Sequence, residues 1–147
     1  MSIGEFAKEI EKMEDRYLFK AKRADNGEWV TGYYTKSIVN GSVFGYIRES
    51  IFGTDIKIML NTLCQYTGLT DKNGNLIWEN DVVRFWDTYS TENGQAEMDC
   101  IGKVVWDDET ISFQVTNRLS SESYEVLDEC SVFGNIFDNK ELLESEG

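Results

Sequence analysis

The sequence predicts a mostly β protein, α+β overall: an N-terminal amphipathic helix, a β lobe, then an SH3-like small β-barrel with a short C-terminal helix. Three observations carry this. Tyr, Phe and Trp make up 13% of the chain, and flat, stiff side chains pack well on a pleated surface. After Arg16 the apolar residues recur with a period of two in short runs. Asn-Gly pairs at Asn26-Gly27, Asn40-Gly41 and Asn73-Gly74 supply the positive φ that tight hairpins need. With 147 residues and 41% hydrophobic content, the chain suits one domain or two small lobes with a packed interior.

Residues 1–15 read as the helix. Ser2 and Glu5 have capping-box spacing. Phe6, Ile10, Met13 and Tyr17 then recur at helical intervals, with Lys8, Glu9, Glu11 and Lys12 off the stripe. The spacing predicts a helix over about residues 3–14. Three turns are marginal alone in water, so the stripe must dock on something, either its own domain or another subunit. Phe6, Ile10 and Met13 are therefore the candidate oligomerisation helix.

Residues 16–66 read as the β lobe, built from Tyr17–Ala21, Glu28–Tyr34, Val43–Ile47 and the apolar run Ile56–Leu60. Gly68 to Gly74 is turn punctuation. Residues 67–147 then carry five short strand candidates: Val82–Thr88, Ile101–Asp107, Ile111–Thr116, Tyr124–Leu127 and Val132–Phe137. In the third, Ile111, Phe113 and Val115 are expected in a core and Ser112, Gln114 and Thr116 in water. The polar stretch Tyr89–Glu97 is expected as a long hairpin loop. Five short strands in about 60 residues predict a small barrel. Asp138-Asn139-Lys140-Glu141 is expected to cap a last helix carrying Leu142 and Leu143.

The charge excludes partner classes. There are 27 acidic and 14 basic residues, a net charge of −13. Phosphate backbones and anionic membrane surfaces repel such a chain. The basic cluster Arg16, Lys20, Lys22 and Arg23 reads as a solvated strand face. No His is present, which removes the usual general base and the commonest transition-metal ligand. Cys64, Cys100 and Cys130 are far apart and form no C-x-x-C pair, so they read as small buried hydrophobes in a reducing compartment. No run reaches the ~18 apolar residues of a membrane span, and no signal peptide is recognised at the N-terminus.

The site motifs weigh against catalysis. Asp71, Asn73 and Asn75 imitate the start of a calcium loop, but the sixth and twelfth positions are Leu76 and Val82 where Gly and Glu are required. Asp107-Asp108-Glu109 could present three carboxylates to a divalent cation, though an acidic turn between strands is the plainer reading. We expect no catalytic, cofactor or metal residues. The aromatics are more informative. Val83 and Phe85 point one way along their strand, and Val82, Arg84 and Trp86 the other, so one of Phe85 and Trp86 should face outwards. Trp29, Tyr34, Trp86 and Tyr89 form the candidate interaction surface.

One long stretch has a family likeness. Gln65-Tyr66-Thr67-Gly68-Leu69-Thr70-Asp71-Lys72-Asn73-Gly74, followed by Ile77-Trp78-Glu79-Asn80-Asp81-Val82-Val83, resembles the central signature of the YopX family. Phe19-Lys20-Ala21 with Gly27–Tyr33 looks like its N-terminal hairpin. Gly134–Asn139 with Glu141–Glu144 looks like its C-terminal ending. The likeness spans about residues 17–144 and leaves the helix outside it. Cys64 and Asn80 stand where the family pattern has Gly, and Lys140 where it has Pro; Asn at position 80 still suits a left-handed backbone. The resemblance implies a phage or prophage origin, the cytoplasm of a bacterial host and self-association. It brings no enzymatic activity with it.

The expected function is a non-enzymatic accessory protein, a homo-oligomer that binds a host or phage protein. The alternative is an acidic mimic of DNA that occupies a host DNA-binding protein, which requires carboxylates spaced along one face like phosphates. Because the chain has no Pro, refolding from denaturant should lack a slow phase that a prolyl isomerase accelerates; stopped-flow fluorescence with and without the isomerase checks this.

Overall fold

The computed structural model describes residues 2–5, 17–50, 52–117, 123–125 and 129–144. The chain is mostly β and divides into two compact units at Gly68/Leu69. Of the helix expected over residues 3–14, residues 3–5 are described and are helical; residues 6–14 lie outside the described residues. The Glu5 N–H donates to Ser2 Oγ at 3.1 Å, and the Ser2 N–H donates back to Glu5 Oε2 at 3.3 Å, the reciprocal bonds of a capping box. Phe6, Ile10 and Met13 lie outside the described residues.

The strands of the first unit are β1 (Phe19–Lys22), β2 (Trp29–Val39), β3 (Ser42–Arg48), β4 (Ile56–Ile58) and β5 (Cys64–Thr70), antiparallel in the order β4-β3-β2-β1-β5. Asn40 and Gly41, at φ 50° and 80°, make the two-residue turn between Val39 and Ser42 that the Asn-Gly pair predicts. One face of the sheet buries Ala21, Val30, Ile47 and Ile58, with Phe19, Tyr34, Ile56, Leu60 and Leu63 packed around them. A 3₁₀ turn at Leu60–Thr62 ties this core down, since the Lys22 N–H donates to Thr62 Oγ1 at 2.8 Å. The stretch expected to begin a run of turn residues at Gly68 is instead strand as far as Thr70; the turn itself is confined to Asp71–Asn75.

In the second unit, β6 (Leu76–Trp78) follows that turn, and β7 (Asp81–Thr91), β8 (Gly94–Asp107), β9 (Ser112–Asn117), β10 (Ser123–Glu125) and β11 (Ser131–Asn135) form a five-stranded antiparallel sheet in the order β10-β9-β8-β7-β11. A short helix, Glu141–Glu144, ends the described chain. Ile77, Val83, Phe85, Cys100, Val104, Val115 and Cys130 make the core, with Phe113 and Val132 against it.

Three expectations are corrected here. The closed barrel is, among the described residues, an open sheet: β10 pairs with β9 and β11 with β7, and no ladder joins the two end strands. Tyr89–Glu97 is no loop. Thr88↔Glu97, Tyr89↔Ala96, Ser90↔Gln95 and Thr91↔Gly94 are paired, and only a two-residue turn at 92–93 separates β7 from β8. Thr88, Tyr89 and Thr91 have good β propensity, but the stretch carries no apolar alternation on either face, which is why its sequence resembles a loop. Ile111 is 76% exposed and sits at φ 53° in the β8–β9 turn, while Gln114 on the supposed water face is buried and donates from Nε2 to Ser112 Oγ.

Gly32 shows how tightly the first sheet is built. A Cβ there would overlap the backbone carbonyl of Arg48, which cannot rotate away. Gly32→Ala should therefore lower stability by about 2 kcal/mol or more, read as a lower urea midpoint with an unchanged m-value.

Candidate interaction surface

Part of the signature is turned into the fold: Tyr66, Asp71, Ile77, Trp78, Asp81, Val82 and Val83 are buried, whereas Leu69, Lys72 and Asn73 are exposed. Asp71 is buried at 5% exposure. Its Oδ1 accepts the N–H groups of Asn73 (2.9 Å) and Asn75 (2.8 Å), which closes the turn. Its Oδ2 accepts Asn75 Nδ2 (3.2 Å) and the Val132 N–H (2.9 Å), which lies 61 residues further along the chain. The Lys72 N–H donates to the Cys130 carbonyl beside it at 3.1 Å. Burial alone would raise the Asp71 pKa, but the donors from Val132, Asn75 and Asn73 outweigh it and hold the carboxyl below its ordinary value. The carboxylate that imitates a calcium ligand is thus filled by N–H donors.

The next motif behaves in the same way. Asp81, also buried, accepts the Trp78 N–H at 2.8 Å across the β6–β7 turn. Asn80 takes the left-handed conformation, φ 72°, and its N–H reaches the Val104 carbonyl. In the C-terminal stretch, Asn135 Oδ1 accepts from the N–H groups of Phe137 and Asp138. Asn139 Oδ1 accepts from the Asn135 N–H at 3.2 Å, so this side chain folds back on the preceding loop instead of forward onto the helix, as a cap would. Gly134 admits that loop: a Cβ there would lie 2.7 Å from Asn139 Oδ1 and 2.6 Å from Leu142 Cδ1.

The acidic turn also has internal work. Asp107 Oδ1 accepts the Glu109 N–H at 2.9 Å, and Asp108 Oδ1 accepts Trp106 Nε1 at 2.8 Å. Among the described residues no group of three or more His, Cys, Asp or Glu side chains is placed to hold a metal ion. Cys64, Cys100 and Cys130 are buried and unbridged. Burial, then the neighbouring carboxylates Asp87 and Asp99, push the Cys100 thiol above its ordinary pKa, which makes it a poor nucleophile. No helix among the described residues is long and apolar enough to cross a membrane.

The candidate aromatics part company. In the first unit, Tyr34 is half-buried, its ring 5.5 Å from that of Phe19, and belongs to the rim of the core. Trp29 lies on the other side of that sheet, half-exposed, with Lys20 Nζ 4.6 Å and Lys22 Nζ 5.4 Å from its ring. The basic cluster is therefore organised around an indole, while Arg23 pairs with Asp25 at 2.9 Å and Arg16 lies outside the described residues. Beside them is an open cleft of about 370 Å³ lined by Arg23, Ala24, Asp25, Thr54, Asp55, Ile56 and Lys57; Asp55 within it is engaged by Arg48 Nε at 3.0 Å.

In the second unit the choice between Phe85 and Trp86 is decided. Phe85 is buried in the core and Trp86 is 63% exposed. Trp86 stands opposite Asp99 in the ladder, next to Arg84, whose Nε lies 2.8 Å from both Asp99 oxygens. The Arg84 hydrogen bonds hold Asp99 below its usual pKa against the opposing effect of burial. Tyr89 lies on the same strand opposite Ala96. Sequence reasoning missed Met98, 44% exposed on β8. The signal was Asn93-Gly94, an Asn-Gly pair that marks the hairpin turn and so puts the polar run on either side into strands.

Comparison with known proteins settles the family. A family described as YopX protein matches residues 5–144. The chain belongs to the YopX family. The match begins at residue 5, so it takes in residues 5–16, which the sequence likeness from residue 17 leaves outside. No match is found among curated proteins. A solved structure similar to this YopX chain is that of protein EF1440 from Enterococcus faecalis, 23% identical, with a TM-score of 0.46 and coverage of 85% of this chain and 96% of that one.

The YopX signature Asp71 gives a direct test. A carboxylate with a depressed folded pKa stabilises the fold above its unfolded pKa and loses that contribution as pH falls through the folded value. Asp71→Asn offers one acceptor oxygen to donors that need two, so it should lose about 1–3 kcal/mol near pH 7. The gap between variant and parent should begin to narrow as pH falls below the unfolded-chain Asp value of about 3.9 and close as it falls on through the lower folded value; urea midpoints at neutral and at acid pH measure it.

Proposed function

We propose that this chain is a phage or prophage accessory protein of the bacterial cytoplasm that catalyses no reaction and acts as a self-associating protein-binding module. The observation that carries the reading is Trp86: a large aromatic left 63% exposed in mid-strand, on a sheet with a well-filled core behind it. Exposed Trp in such a setting is characteristic of a contact surface. The engagement of Asp71, Asp81, Asn135 and Asn139 in backbone hydrogen bonds supports a structural role for the signature side chains. The rival reading, an acidic mimic of DNA, is less well supported, because Asp25, Asp55, Asp71, Asp81 and Asp99 are drawn into ion pairs or turn closures rather than set out in a row.

Self-association is assigned to Phe6, Ile10 and Met13, whose sequence spacing predicts one apolar stripe. Light scattering after size exclusion should give a mass that is a multiple of the 16.9 kDa chain, reduced to the single chain by Ile10→Glu. A clean monomer of the parent at high concentration overturns this part of the reading.

A further inference from the structure

β7 and β8 outrun their neighbours. β11 pairs with β7 only as far as Arg84, and β9 pairs with β8 only from Gly102 onwards. Residues 86–91 and 94–100 consequently form a two-stranded ribbon whose outer edges carry no ladder among the described residues. At about 3.3 Å per residue, the edge of β7 that no described residue pairs with is roughly 20 Å long. An edge of that kind is a template for one more strand, and a two-stranded ribbon alone is marginal in water.

The ribbon carries an excess of one sign. Residues 85–102 contain Asp87, Glu92, Glu97 and Asp99, and neither Lys nor Arg; Asp99 is paired with Arg84, which leaves Asp87, Glu92 and Glu97 to set the charge. Trp86 stands on β7, so a strand added beside β7 would bring alternate side chains about 5 Å from the indole's own position in the ladder. A Lys or Arg at such a position gains from the ring face as well as from the carboxylates. A second copy is the wrong occupant, since it would bring a ribbon with the same excess of Asp87, Glu92 and Glu97 against this one.

We propose that the outer edge of β7, from Trp86 to Thr91, takes up an extended Lys- or Arg-bearing segment of a partner protein as an added strand. The edge supplies backbone hydrogen bonds, the carboxylates select a cationic segment, and Trp86 anchors it. This rests on the protein-binding reading above and adds the chemistry of the partner.

The test uses the full chain and short fluorescent peptides, read by anisotropy. One alternates Lys and Val; the second alternates Glu and Val; the third is the Lys-Val peptide with alternate backbone nitrogens methylated. The Lys-Val peptide should bind and perturb the Trp emission. Backbone methylation should weaken binding about tenfold or more, because strand addition needs the peptide N–H groups. Trp86→Ala should weaken it by about tenfold, and Glu97→Lys should weaken it while leaving the circular dichroism spectrum unchanged. Equal binding of the methylated or Glu-Val peptide, no effect of Trp86→Ala, or no binding of the Lys-Val peptide would each overturn the proposal. Light scattering on the protein alone reports self-association separately, so failure here does not touch that reading.

Discussion

The second unit depends on one carboxylate. Asp71 gathers two N–H groups of its own turn on one oxygen and the Val132 N–H on the other. A loop of 61 residues is closed at that point, and with it β11 is brought alongside β7. Burying a charge is costly unless its lone pairs are filled by donors; here the donors fill them, and the charge makes each bond stronger than a neutral one. Asp81 repeats the device on a smaller scale by closing the β6–β7 turn from inside the fold. Asp71 and Asp81, two of the residues that carry the likeness to the family, thus set register and closure here.

That use of polar side chains separates structure from recognition in this molecule. Asp71 and Asp81 of the signature face inwards and are engaged. What faces outwards is a ribbon with an exposed Trp, an ion pair beside it and a surplus of negative charge. An exposed ion pair adds little stability, but Arg84 and Asp99 hold each other in place on either side of the strand pair that carries the indole. In the first unit the chain places two ammonium groups over Trp29, the opposite polarity from the ribbon.

Some of this was legible before any coordinates. The Asn-Gly pairs located hairpin turns because few residues tolerate positive φ, and Asn40, Gly41 and Gly74 occupy it. The capping box at Ser2 and Glu5 is a local pattern, and its two bonds form. Asn80 was readable as a left-handed position for the same local reason. The failures were non-local. Tyr89–Glu97 looked like a loop because a ribbon wet on both faces has no hydrophobic alternation to betray it. Ile111 looked like core because its spacing fitted, yet a turn displaced it into solvent.

The sequence by itself determined the β class, the turns at Asn26-Gly27, Asn40-Gly41 and Asn73-Gly74, the acidic balance and the family, since each follows from local conformational preference, composition or a contiguous motif. Tertiary structure alone decided that Asp71 reaches Val132, that Phe85 and not Trp86 enters the core, and that the five-stranded sheet stays open with a ribbon running past its neighbours. These depend on which distant strands become partners. Alternation assigns side chains to two faces, but it does not say which face another part of the chain will cover.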